Sequence, residues 1–273
     1  MNGDLFMAES LSERAMGYVK GSIDLSSTQD GILLEQVLRS RHATHDQLWQ
    51  FLQLKTRETR RRIFNWRMLR LVQHGLVTRL NVKYEKRGWV YAISEAGAAY
   101  LAGKGDGAAL VAAKAFKQLD DPVVLHSLDL NDVHLTLMRS GELIRWKSEL
   151  EILCLNELTG SGYAKDYDAV ITINSDGAES TFALEYERQP KATNRYRQVR
   201  KAIEKERHVR CFLYLTPSYE LLSYVAGFFD RCAKAVYFGV LEDFRQRGLD
   251  AQVLDSRRTL SFSFRAMLNG NGA

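Results

Sequence analysis

The sequence predicts an α+β chain of two domains: a small helical domain closed by a β-hairpin, then an α/β domain organised around a sheet. Three observations predict it. Residues 30–73 carry helical periodicity in three successive segments, and residues 76–93 alternate around a basic, polar tip. Residues 130–215 then read as helix, three strands, helix, strand, with a further helix over about 218–233 and a strand over 235–241. Two of those strands carry carboxylates at spacings that place them on one face. The expected division is a flexible segment 1–28, a helical domain 29–103, a linker or connecting helix 104–124, an α/β domain 125–265 and a disordered tail 266–273.

Composition narrows the classes. At 273 residues the chain is long enough for two domains, each with its own core. No apolar run approaches the roughly 20 residues needed to span a membrane. Residues 1–14 carry acids and no hydrophobic segment, unlike a signal peptide. Cys154, Cys211 and Cys232 lack metal-ligand spacing and read as buried thiols of a cytoplasmic protein. The net charge of +5 is a weak hint of an anionic partner, and the distribution of charge says more. No Gly-rich phosphate loop and no acyl-transfer motif is present.

Residues 30–38 read as a short amphipathic helix. Thr44 reads as an N-cap, with Gln47 completing a capping box, and a second helix runs through Leu48, Phe51 and Leu52. Thr56 opens a third, longer helix to about Gln73, and Gly75 suits a left-handed cap after it. Ile63, Trp66, Leu69 and Val72 recur at helical spacing and are expected to face the core. That leaves Arg57, Arg60, Arg61, Arg62 and nearby residues outward. The strands 76–80 and 89–93 flank the tip Lys83-Tyr84-Glu85-Lys86-Arg87-Gly88, and a helical segment 95–101 follows. Gly103, Gly105 and Gly107 mark a break before a connecting helix over 108–119.

Three helices followed by a basic-tipped hairpin is the order of a winged helix-turn-helix, and "ISEAGAAYL" (93–101) resembles the close of many bacterial winged-helix domains. That resemblance implies binding of double-stranded DNA. Arg57, Arg60, Arg61 and Arg62 would enter the major groove, where Arg reads guanine edges and grips phosphate. Lys83, Lys86 and Arg87 would contact the backbone or minor groove. A solvated charged face is the alternative for the same residues.

In the second domain residues 130–140 read as a helix and 144–155 as a strand. Strands 166–173 and 181–187 are joined by the turn Asn174-Ser175-Asp176-Gly177. Glu185 and Glu187 share a face, and pairing of the two strands brings Asp168 to the same end. Such a cluster needs a cation or a basic partner, and hard cations take oxygen ligands of this kind. Pro190 fits the first turn of a basic helix to about His208, with Lys191, Arg195, Arg197, Arg200, Lys201, Lys205 and Arg207. This helix could hold substrate phosphates or be plain solvated surface. His134, on the first helix of the domain, is a further candidate to reach the acids.

The arrangement resembles the PD-(D/E)XK nuclease core. The resemblance implies that Asp168 and Glu185 bind Mg²⁺ or Mn²⁺ and that a cation two residues after the Glu helps activate water. Tyr167 replaces the usual Pro, and Glu187 stands where Lys is expected. Glu187 acting on metal or water, or Lys191 or Lys201 swinging in, would restore the function. Arg188 cannot act as a base. The alternative is a dead site in which Glu185 and Glu187 pair with Arg188, Arg195 or Lys191. The run "DYDAVITI…STFALEYERQPKATNRYRQVRKAIE", after a winged helix, resembles the replication-relaxation family of bacterial and mobile-element proteins. That implies a cytoplasmic DNA-binding protein acting in control of replication, mobilisation or transcription, with a homodimer as one expected state. A Mg²⁺-dependent endonuclease or nickase using Asp168, Glu185, Glu187 and Lys191 is the second reading.

Overall fold

The structure is a computed structural model that describes residues 23–80, 88–115, 121–159, 162–257 and 261–270. Residues 1–22 of the expected lead-in 1–28, the hairpin-tip residues Lys83, Lys86 and Arg87, and the last three residues lie outside the described residues. The chain divides into two compact units, Met1–Leu128 and Asp129–Ala273. Its architecture is mixed α/β.

The first unit contains α1 (Asp30–Ser40), β1 (Ala43–Thr44), α2 (His45–Thr56), α3 (Arg61–Gln73), β2 (Val77–Leu80), β3 (Val90–Ile93), α4 (Glu95–Ala102) and α5 (Gly107–Ala115). The strands form an antiparallel sheet in the order β1-β3-β2. The Thr44 capping box forms on both sides: the hydroxyl accepts from Gln47 N–H, and the Gln47 side chain accepts from Thr44 N–H. Gly75 takes the left-handed conformation expected of it, with φ 68°.

Two expectations fail here. The third helix does not open at Thr56. Arg57 is left-handed at φ 58°, and Glu58 turns its carboxylate onto the N–H groups of Thr59 and Arg60 at 3.0 and 2.9 Å. These bonds satisfy donors just ahead of α3, so α2 and α3 are separate helices joined by a tight turn. The core face of α3 also differs from the expected one. Phe64, Met68 and Leu71 are buried, whereas Trp66 and Leu69 are 53% and 50% exposed. Both sets recur at helical spacing, so periodicity alone does not choose between them.

Asp30, fully buried at the start of α1, binds two arginines of α3: Arg67 at 2.8 Å and Arg70 at 2.7 Å. Two cations of the basic segment are therefore structural. Gly97 brings α4 against the end of α3. A Cβ there would drive into the Leu76 carbonyl oxygen and the Ile93 side chain. Gly97→Ala is expected to cost about 1–3 kcal/mol, read as a lowered denaturant midpoint at unchanged slope.

The second unit is built on a seven-stranded sheet in the order β10-β9-β8-β7-β6-β5-β4. Its strands are β4 (Leu143–Ser148), β5 (Ala169–Ser175), β6 (Ala178–Tyr186), β7 (Cys211–Thr216), β8 (Ala235–Val240), β9 (Gln252–Asp255) and β10 (Ser261–Ser263). The central strands β6, β7 and β8 are parallel and the outer pairings are antiparallel. Crossover helices α8 (Thr193–Lys205) and α9 (Tyr219–Ala226), with α7 (Glu149–Leu158), cover one face. The part of α6 (Asp121–Ser140) from Asp129 onward, with α10 (Leu241–Arg247) and α11 (Phe264–Gly270), covers the other. Among the described residues no helix is long and apolar enough to cross a membrane.

The strand expected over 144–155 ends at Ser148. The Ser148 hydroxyl caps Glu151 N–H, and Glu151 reaches back to Ser148 N–H at 2.8 Å. This second capping box turns the apolar run after it into α7. The basic helix starts at Thr193 instead of Pro190: residues 190–192 take no regular structure, and the Lys191 N–H is bound to the Tyr196 hydroxyl at 2.9 Å. The turn read over 174–177 narrows to two residues, because Asn174 and Ser175 pair within the hairpin as part of β5. Asp176 and Gly177, at φ 54° and 86°, form a two-residue loop of left-handed residues between paired Ser175 and Ala178.

Candidate functional site

Two sets of residues carry the chemistry, one in each unit. In the first unit Arg57, Arg60, Arg61 and Arg62 are all exposed, across the turn before α3 and its first helical turn. Arg60 pairs with Glu58 at 3.3 Å and Arg61 pairs with Asp46. The Arg61–Asp46 pair is exposed on both sides, where such contacts are weak and exchange readily for another anion, whereas the Glu58 carboxylate is buried beneath the exposed Arg60. Backbone bonds from Arg60 and Thr59 hold the Glu58 carboxyl below its ordinary value, outweighing the burial that acts against them. The exposed face of α3 continues through Asn65, Trp66 and Leu69. The Arg70 guanidinium lies over the Trp66 ring at 4.5 Å. Sequence reasoning placed Trp66 and Leu69 in the core and missed this mixed polar and apolar surface.

In the second unit the carboxylates follow from register. Ala169 pairs with Leu184, so Asp168 lies across from Glu185 at the end of the β5–β6 hairpin. Val170 and Ala183 belong to the core under α7, α8 and α9, and alternation puts Asp168 and Glu185 on that same face. Glu185 also pairs in register with Tyr214 of β7. Burial, then Glu185, Glu187 and Asp168, push the Tyr214 hydroxyl well above its ordinary value.

Each acid has a specific neighbour. Asp168 accepts the Tyr186 N–H at 2.6 Å. Glu185 pairs with Lys165, whose ammonium also lies 4.8 Å from the Tyr167 ring centre. Glu187 pairs with Lys191 at 3.0 Å. Burial pushes the Glu185 carboxyl up to about 7. Lys165 opposes the shift and Asp168 adds to it. Among the described residues no three His, Cys, Asp or Glu side chains are grouped to hold a metal ion. The cations brought to the acids are Lys165 and Lys191. Lys191 was foreseen and Lys165 was not, although a lysine three residues before Asp168 is visible in "AKDYDA".

Arg188 turns away from these acids to Asp129 at 3.3 Å, where Tyr186 and Arg245 also bind. Arg195 and Lys201 are exposed on α8. The His134 ring stacks on Trp146 of β4 at 4.2 Å.

Glu206 fixes the segment that carries Lys165 and Asp168. It accepts the Ala164 N–H at 2.9 Å and the Tyr167 hydroxyl at 3.1 Å, along with the N–H groups of Arg207 and His208. Burial works to raise its pKa, but these hydrogen bonds prevail and hold the carboxyl below its ordinary value. A depressed folded pKa means stability that is present above the unfolded value, about 4.3, and lost as pH falls through the folded one. Glu206→Gln is expected to lower stability by about 2 kcal/mol near pH 7. Thermal unfolding of both proteins from pH 7 to 3 should show that gap closing below about pH 4.

Fold and site thus define a two-unit α/β protein with an arginine-rich helix start in one unit and a lysine-paired carboxylate set in the other. No family model and no curated protein matches the sequence. Among solved structures the chain is similar to that of the restriction endonuclease FokI, at 12% identity and a TM-score of 0.29. The match covers 83% of this chain and 45% of that one, so the chain spans less than half the length of that protein.

Proposed function

We propose that this protein binds double-stranded DNA through its first unit, used as a winged helix-turn-helix, and that the carboxylates of its nuclease-like second unit serve structure. The observation that carries the reading is the joint exposure of Arg57, Arg60, Arg61 and Arg62 at the start of α3. Four guanidinium groups at one helix entrance suit phosphate and guanine edges. Exposed Arg195 and Lys201 on α8 are proposed as further backbone contacts. The pairing of Lys165 with Glu185 and of Lys191 with Glu187 supports the structural role of the acids. Control of replication, mobilisation or transcription on a plasmid or other mobile element is the role proposed for such a protein.

One observation favours a second reading, a metal-dependent endonuclease or nickase. Asp168 stands across from Glu185 with a lysine on the same carboxylate, so both acids and a cation lie at one strand end. Asp168 and Glu185 would hold Mg²⁺ or Mn²⁺ once Lys165 moved aside, and the metal would polarise a phosphodiester.

The test is supercoiled plasmid with Mg²⁺ or Mn²⁺, wild type beside Glu185→Ala at matched salt, with gel retardation of a duplex in parallel. Retardation by both proteins with intact plasmid is the expected result. Nicking by wild type that disappears in the variant would establish the nuclease instead. Absence of retardation would remove the DNA-binding reading. The stoichiometry of the retarded complex tells whether one or two chains bind.

A further inference from the structure

We infer that the second unit carries a phosphate-binding pocket at the end of its sheet opposite the carboxylates. A cavity of 440 Å³ opens there, lined by Arg207, His208 and Arg210 on one side and Glu179, Ser180 and Thr181 on another. Its volume lies within the roughly 300–1,000 Å³ range of small-molecule sites.

The position follows from strand register. Phe182 of β6 pairs with Cys211 of β7, and Cys211 with Ala235 of β8. Residues 179–181 and 207–210 therefore meet where β7 and β8 begin. Glu185 lies four residues further along β6 than Thr181, about 13 Å at strand rise. The pocket is thus separate from the carboxylate set.

The backbone of the basic wall is tied by hydrogen bonds, and its side chains are exposed. The Glu206 carboxylate binds the N–H groups of Arg207 and His208 at 2.8 and 2.7 Å. Val209 is buried in the core between exposed His208 and exposed Arg210. The side chains of Arg207 and Arg210 make no ion pair among the described residues, whereas Arg188, Arg245 and Arg265 of the same unit are neutralised by carboxylates. Glu179 is the one acid in the lining, set against two guanidinium groups.

This chemistry selects the ligand class. Two arginines three residues apart offer forked N–H donors that match phosphate oxygens, and the His208 ring adds another polar group. Ser180, Thr181 and Glu179 suit hydroxyl or amino groups attached to that phosphate, as on a nucleotide. The Cys211 thiol in the lining is pushed up to about 12 by burial and stays protonated, so the site binds without a covalent step. The phosphate comes from a free nucleotide or from a nucleic-acid backbone.

The experiment is calorimetric titration of the full chain with 5′-AMP at low salt, wild type beside the double variant Arg207→Gln/Arg210→Gln. A duplex-affinity measurement on both proteins runs in parallel. Both arginines are exposed, so the variant should unfold at the wild-type temperature. Saturable AMP binding that weakens tenfold or more in the variant supports the pocket with a free nucleotide as source. Absence of AMP binding, with duplex affinity falling tenfold or more in the variant, supports it with the nucleic-acid backbone as source. Neither AMP binding nor duplex affinity responding to the double substitution overturns it. Failure of wild type to bind any duplex would count against the proposed function alone, because the AMP titration still decides the pocket.

Discussion

Replacing Arg57, Arg60, Arg61 and Arg62 together by Gln is expected to abolish measurable duplex binding at physiological salt. Arginine contacts to base edges are worth about 1–3 kcal/mol each, so four lost together weaken binding on the order of a thousandfold or more. The four side chains are exposed, the Arg61–Asp46 pair lies at the surface, and the buried Glu58 carboxylate keeps the N–H groups of Thr59 and Arg60 as partners, so the fold should tolerate the change. Salt dependence separates the components. If all four contact phosphate, the slope of log affinity against log salt should fall by about 3–4. If Arg57 and Arg60 read bases instead, single substitutions there should relax sequence preference and leave the slope nearly unchanged. Fluorescence anisotropy with a labelled duplex between 50 and 200 mM salt makes the measurement. Wild-type affinity in the fourfold variant would move the interface elsewhere.

The second large effect is on stability. Asp30→Ala is expected to destabilise the first unit by about 3–5 kcal/mol, because it strands the cations of Arg67 and Arg70 around a fully buried position. The Asp30 carboxylate also accepts Ser26 N–H at 2.9 Å, so the entry to α1 loosens as well. Asp30→Asn keeps the side-chain volume and some hydrogen bonds and should cost less than the alanine. Equal losses would mean that charge, and not shape, sets the contribution. Chemical denaturation of the three proteins, followed by circular dichroism, gives the values.

Much of this molecule was legible because its signals are local. The Thr44–Gln47 capping box, the left-handed Gly75 and the Asp176-Gly177 turn are each specified by residues within a few positions. The hairpin then fixed the placement of Asp168 across from Glu185, since period-two alternation leaves little freedom once a two-residue loop is known. What was missed depended on choices that periodicity does not make. On α3 the rows Phe64-Met68-Leu71 and Trp66-Leu69 are both helical, and only packing selects which one is buried. Ser148 and Glu151 formed a capping box inside a run that also reads as strand, and the cap prevailed. Glu58 cut a seemingly continuous basic helix by satisfying N–H groups from its own side chain. The strands after Leu241 carried too short a pattern to be read. Lys165 sits outside any strand, and only the folded loop, tied by Glu206, brings it to Glu185.

The tight loop at Asp176-Gly177 also sets an order of events in folding. A hairpin with left-handed residues at both loop positions closes in microseconds, without help from distant chain. Asp168 and Glu185 can therefore come together while both are still in water. The parallel partner β7 arrives only after the crossover through α8, a slower, longer-range closure. Burial of the Glu185 carboxyl, and the rise in its pKa to about 7, belong to that later docking. Refolding of the second unit should then be fast at the hairpin stage. Its final step should slow as pH climbs from about 4.5 to 7, because an ionised Glu185 must be dehydrated before the sheet can close.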